Sequence, residues 1–117
     1  LKGTLFLSPR HYRERIQDIL NEIEKIHQFT DFMDYSAFLQ DEKTQHAVQM
    51  CLIIIGEAGN AIPESIQEDF PDVPWNLIRA MRNRLVHTYF NFDNQMIWDT
   101  VKKDIPLLEK AIQGSSL

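Results

Sequence analysis

Apolar residues Tyr12, Ile16, Ile19, Leu20, Ile23 and Ile26 recur in steps of three and four, the spacing of one helix face. Ser8 followed by Pro9 is a helix start, because proline lacks an N–H that the first turn would leave unbonded. The spacing predicts a first helix from about Pro9 to Phe29, with Arg13, Glu14, Gln17, Asp18, Glu22 and Lys25 on its polar side. Thr30 to Asp34 reads as a short connection, and Asp31 or Asp34 can cap one or two helical turns over Tyr35 to Gln40. A long helix follows from about Asp41 to Ala61, stopped ahead of Pro63. Its middle, Met50-Cys51-Leu52-Ile53-Ile54-Ile55, is apolar on nearly every side, which predicts a central helix covered by several neighbours. Gly56 and Gly59 each cost about 1 kcal/mol there relative to alanine; close approach of another helix is the usual reason for such small residues.

The second half repeats the pattern with stronger punctuation. Ile62 to Asp72 holds two prolines and four acids and reads as a loop with a short turn of helix. Pro74 starts a helix at Trp75 that runs through Leu77, Ile78, Met81, Leu85 and Val86 and is closed by Tyr89-Phe90-Asn91-Phe92. Asp93 opens a last helix with Ile97, Val101, Ile105, Leu108 and Ile112 inward, and Pro106 inside it predicts a kink or a split. Residues 114–117 read as a frayed tail. Strand-period runs and internal repeats are absent. The expected fold is all-α, an up-and-down four-helix bundle with additional short helices, spanning 9–113 between an extension (1–8) and a tail (114–117).

A chain of 117 residues, 44% hydrophobic and 25% charged, has room for one core. The single cysteine, Cys51, lies in the most apolar run, so a buried reduced thiol is expected, which suits a reducing cytoplasm. No apolar stretch reaches the roughly 18 to 20 residues that span a bilayer, and the opening residues are too short for a signal peptide. The net charge of −5 argues against a broad basic surface for nucleic acid. Its distribution is uneven. Between Ile26 and Ile78 there are nine acids and one base, Lys43, whereas Val73 to Phe92 holds no acid and carries Arg79, Arg82 and Arg84. Two readings stand: a solvated helix face, or a local cationic site on an acidic body.

The candidate chemistry lies in the same stretch. Helical geometry advances about 100° per residue, so Asn83 and His87 share a face and Arg82 sits one step round from Asn83. Arg82 and His87 are then about 140° apart, and they converge only if the helix ends near His87 or a second chain contributes. Asn83 can orient the imidazole, Arg82 can grip a phosphate with its planar fork, and histidine exchanges protons near neutrality. These parts suit RNA cleavage through the 2′-hydroxyl. That reaction needs a base, an acid and positive charge on the phosphorane; a two-fold dimer supplies two copies of His87 and Arg82 to one cleft. No cofactor is called for, and His11, His27, His46 and His87 stand in no metal-ligand spacing.

The segment Ile54-Ile55-Gly56-Glu57-Ala58, the Val73-Pro74-Trp75 lead-in, and Arg82-Asn83 followed by His87-Thr88-Tyr89 together resemble the HEPN superfamily, in particular its HepT-like proteins. The likeness runs from about Arg10 to Ile112. It implies a helical homodimer that acts as a metal-independent endoribonuclease, the toxin of a type VII toxin–antitoxin pair in the cytoplasm. Arg82 and His87 would be the catalytic pair, Asn83 their support, and Arg84, Glu57 and Arg79 supporting residues. Tyr89 matches the tyrosine that a partner MNT-type nucleotidyltransferase modifies with AMP. Glu57, a carboxylate in the most apolar helix, must find a partner; it is expected in a buried pair with a motif arginine, or as a positioning group for Arg82 or His87. Trp75, Trp98, Met50 and Met81 are expected in the core or an interface. The alternative function is a non-catalytic nucleotide- or RNA-binding module that docks the nucleotidyltransferase, a reading that the acidic body favours.

Overall fold

The computed structural model describes the backbone of residues 9–87 and 93–117, and the side chains of residues 11–83 and 93–117. The helices in order are α1 (Pro9–Thr30), α2 (Tyr35–Leu39), α3 (Glu42–Asn60), α4 (Glu64–Asp69), α5 (Trp75–His87), α6 (Asn94–Asp99), a π-helical turn (Thr100–Asp104) and α7 (Ile105–Gln113). No strand occurs among the described residues. The all-α bundle with short extra helices is as the patterning predicts.

Local chemistry sets the helix starts. Asp34, Asp41 and Asp93 each accept a bond from the amide three residues on, Ala37, Thr44 and Met96, at 2.8, 3.0 and 3.1 Å. Each satisfies one of the amides that a helix start leaves unbonded. Of the two caps open for α2, Asp34 takes the role, and Asp31 turns instead to His27. Ser8 and the Tyr89–Phe92 terminator lie outside the described residues.

Pro106 splits the last helix, as its chemistry requires. Its ring would press on the carbonyl four residues back, and it has no amide to donate. The chain answers with the π turn immediately upstream, where the Ile105 amide bonds Thr100 O, five residues back, and α7 then begins with proline in its first turn.

The core runs along α1 and α3. Ile19, Ile23 and Ile26 from α1 and Val48 and Ile55 from α3 are fully enclosed, each such side chain contributing about 2 kcal/mol by burial. Helix α3 is central, touching α1, α2, α5 and α6. Its cover is incomplete, however. Met50 is 57% exposed, and Ile53 and Ile54 are half-buried, leaving an apolar strip along α3. Of the four residues expected in the core or an interface, Trp75, Trp98 and Met81 are buried in the core and Met50 is exposed. The C-terminal residues do not fray as expected: the Ser115 hydroxyl donates to Ile112 O at 2.6 Å, and Leu117 packs back against the core.

Candidate active site

Helices α3 and α5 run antiparallel at very close range, and glycine makes this possible. A Cβ added at Gly56 would lie 2.7 Å from Arg82 Cβ and 3.0 Å from Arg82 Cα, and one at Gly59 would overlap Ile78. The small residues therefore bring the backbone that carries Arg82 onto the central helix, which is the close approach their cost in helix propensity implies.

Arg82 is fixed from the same helix. Its Nε donates to Glu57 Oε1 at 2.7 Å, one residue beyond the glycine on which it rests. Glu57 thus pairs with a motif arginine, but the pair is not buried: side-chain exposures are 54% for Glu57 and 38% for Arg82. The apolar composition around Glu57 gave the opposite expectation. Glu57 lies on the open side of α3, one turn from Ile53 and Ile54, and so keeps its water. An exposed pair of this kind contributes only about 0.2–1 kcal/mol to stability, so its consequence is orientation more than energy.

The remaining candidates divide. Asn83 is exposed on α5, where it can meet a ligand. Arg79 is exposed one turn earlier, with one guanidinium nitrogen donating to Gln67 Oε1 at 3.0 Å and another to Asn76 Oδ1. Arg84 and His87 belong to α5, but their side chains lie outside the described residues, as does Tyr89 altogether. The structure therefore brings Glu57 and Arg82 together and places Asn83 beside them on the helix that reaches His87. Two partners escape sequence reasoning. Asn76 stands three residues before Arg79, a helical spacing that could have flagged it; Gln67 comes from another helix, with no local signal. Among the described residues, no group of three or more His, Cys, Asp or Glu side chains is placed to share a metal ion.

The family model for HepT-like ribonucleases matches residues 19–114, which takes in the α3–α5 crossing and the whole motif. The chain belongs to the HepT-like ribonuclease family. Among its HepT-like relatives is "Probable ribonuclease HepT" of Thermococcus cleftensis, 42% identical over 86% of this chain and 91% of that protein. "Putative RNase MJ0125" of Methanocaldococcus jannaschii is 36% identical over 89% of this chain and 90% of its own length. "Putative RNase TTE0752" of Caldanaerobacter subterraneus subsp. tengcongensis is also 36% identical, over 91% of this chain and 92% of its own length. No solved structure matches. No helix among the described residues is long and apolar enough to cross a membrane.

Proposed function

We propose that this HepT-like chain is the toxin of a type VII toxin–antitoxin pair, a cytoplasmic, metal-independent endoribonuclease that works as a homodimer. The observation that carries the reading is the clamp on Arg82, an arginine held against the central helix by Gly56 and oriented by Glu57 five residues before His87. The apolar strip of Met50, Ile53 and Ile54 ends beside that clamp and supports a two-fold contact there.

The chemistry follows from two copies of the motif facing one cleft. His87 of one protomer takes the proton of a 2′-hydroxyl, whose oxygen attacks the adjacent phosphorus. The bond from phosphorus to the 5′ oxygen breaks, and His87 of the second protomer gives that oxygen a proton. The products are a 2′,3′-cyclic phosphate and a free 5′-hydroxyl. Arg82 stabilises the phosphorane charge, with Arg84 adding to the local positive field, and Asn83 orients the imidazole. A partner MNT-type nucleotidyltransferase neutralises the toxin by transferring AMP to Tyr89. An adenylyl group two residues from His87 counters the arginine charge and occupies the cleft.

The test is induction of wild-type protein and His87→Ala in growing cells, with total RNA followed in parallel. Growth arrest with RNA cleavage by the wild type, and neither by a variant that keeps its dimer and melting temperature, is the expected result. A variant that still cleaves removes His87 from the mechanism, and RNA binding without cleavage by the wild type favours the non-catalytic module.

A further inference from the structure

The motif helix carries more than the motif. Arg79 and Asn83 are both exposed, and their spacing of four continues to His87, so the three positions form a single stripe that drifts about 40° per step. Arg79 lies about 12 Å before His87 along the helix axis, at 1.5 Å per residue. It also lies at the edge of a groove of about 710 Å³ between α4 and the start of α5. Pro71, Pro74 and Leu77 give that groove apolar walls, and Glu68 is the only acid among its described lining residues.

What distinguishes Arg79 is the company it keeps. Arg82 has a carboxylate on its Nε, whereas the bonds that hold Arg79 go to the neutral amide oxygens of Gln67 and Asn76. Among the described residues no carboxylate pairs with its guanidinium, which is oriented by neutral partners, as recognition of a phosphate requires. Flat apolar walls beside a fixed cation suit the face of a nucleobase joined to that phosphate. Glu68 also lines the groove, and its carboxylate repels a second phosphate there.

We propose that Arg79 and the α4–α5 groove form a binding subsite for a nucleotide flanking the cleavage point, with Arg79 on its phosphate and the groove on its unpaired base. The proposal rests on the ribonuclease reading above and narrows the substrate to single-stranded RNA along this stripe, because a paired base has both faces stacked and cannot enter.

The experiment measures binding of a fluorescent single-stranded oligoribonucleotide, and of the same strand in a duplex, by anisotropy at several salt concentrations. The full chain is compared with Arg79→Gln, Arg79→Lys and Arg82→Gln, and Lys103→Gln serves as a charge-matched control on the exposed π turn. The expected result is preference for the single strand, weakened about tenfold by Arg79→Gln. The salt dependence falls by about one released ion in Arg79→Gln and is kept by Arg79→Lys. Melting temperatures show that each variant is folded. If Arg79→Gln binds as wild type does while Arg82→Gln does not, the subsite is wrong and the ribonuclease reading stands. If duplex and single strand bind equally, the base-binding role of the groove fails. If the wild type binds neither, the ribonuclease reading fails and takes the subsite with it.

Discussion

Glu57 reaches across from the central helix to hold Arg82 at 2.7 Å, directly beyond the glycine that lets the two helices touch. Half-exposed as it is, the pair contributes at most about 1 kcal/mol to folding, yet misplacing a phosphate-binding group by an ångström can cost roughly a hundredfold in rate. The two magnitudes separate a positioning role from a structural one. Glu57→Ala is expected to lower RNA cleavage by tenfold or more while the melting temperature falls by only a few degrees. Parallel cleavage assays and thermal melts check this, and a variant that loses stability but keeps its rate assigns Glu57 to the scaffold.

Gly56→Ala sets two effects against each other. Alanine favours the helix by about 1 kcal/mol, but its Cβ would meet Arg82 at both Cβ and Cα, and backbone cannot swing aside as a side-chain tip can. Overpacking of this kind costs about 1–3 kcal/mol, so net destabilisation with displacement of Arg82 is expected. Gly59→Ala strikes the Ile78 side chain instead and should cost stability with less loss of activity. Urea denaturation with cleavage rates for both variants gives the comparison; equal loss of activity would mean that Arg82 tolerates the shift.

Features whose cause lies within a few residues were legible in the sequence. The helix starts at Asp41 and Asp93, the split at Pro106 and the inward faces of α1 and of α5 as far as Met81 all follow from local spacing or from a residue's own chemistry. Pairings between elements were not. Gln67 with Arg79 and His27 with Glu109 join positions 12 and 82 residues apart, and nothing local marks them. Composition also misleads where a helix is covered on only part of its circumference: the apolar run of α3 predicts cover all round, but Met50 and Glu57 share its open side. The placing of Arg82, Asn83 and His87 on one helix was legible from their spacing, and α5 spans all three positions.

His27 joins the end of α1 to α7. Its Nδ1 lies 3.2 Å from Asp31 and its Nε2 3.0 Å from Glu109. Burial works against the charged ring, but the bonds to Glu109 and Asp31 outweigh it and raise the pKa above the ordinary value of 6.5. A raised folded-state pKa means that this contribution to stability is complete below about pH 6.5 and is lost as pH rises through the higher folded value. The melting temperature should fall across neutrality in wild type, and the fall should flatten in His27→Gln and Glu109→Gln. The same slope in all three proteins would remove His27 as its source.

Cys51 shows the opposite effect. Burial pushes its thiol up to about 11, with the nearby Glu22 carboxylate adding to the shift. A thiolate is the reactive form, so native protein at neutral pH should resist iodoacetamide and react only as it unfolds. Labelling followed by mass spectrometry along a urea gradient should track the unfolding curve; complete labelling of folded protein would contradict this burial.

Tyr89 carries the regulatory half of the proposed function. Two residues past His87, its hydroxyl oxygen would attack the α-phosphorus of ATP, and pyrophosphate would leave as AMP is transferred. The protein incubated with ATP and an active MNT-type nucleotidyltransferase should gain mass in AMP-sized steps on the peptide containing Tyr89, with RNA cleavage falling in proportion. Tyr89→Phe keeps the ring and removes the acceptor, so it should gain no mass and stay active in the partner's presence. Mass gained elsewhere would move the modification off Tyr89. Inhibition of Tyr89→Phe without any mass change would replace AMP transfer by simple complex formation, leaving the assignments of Arg82 and His87 intact.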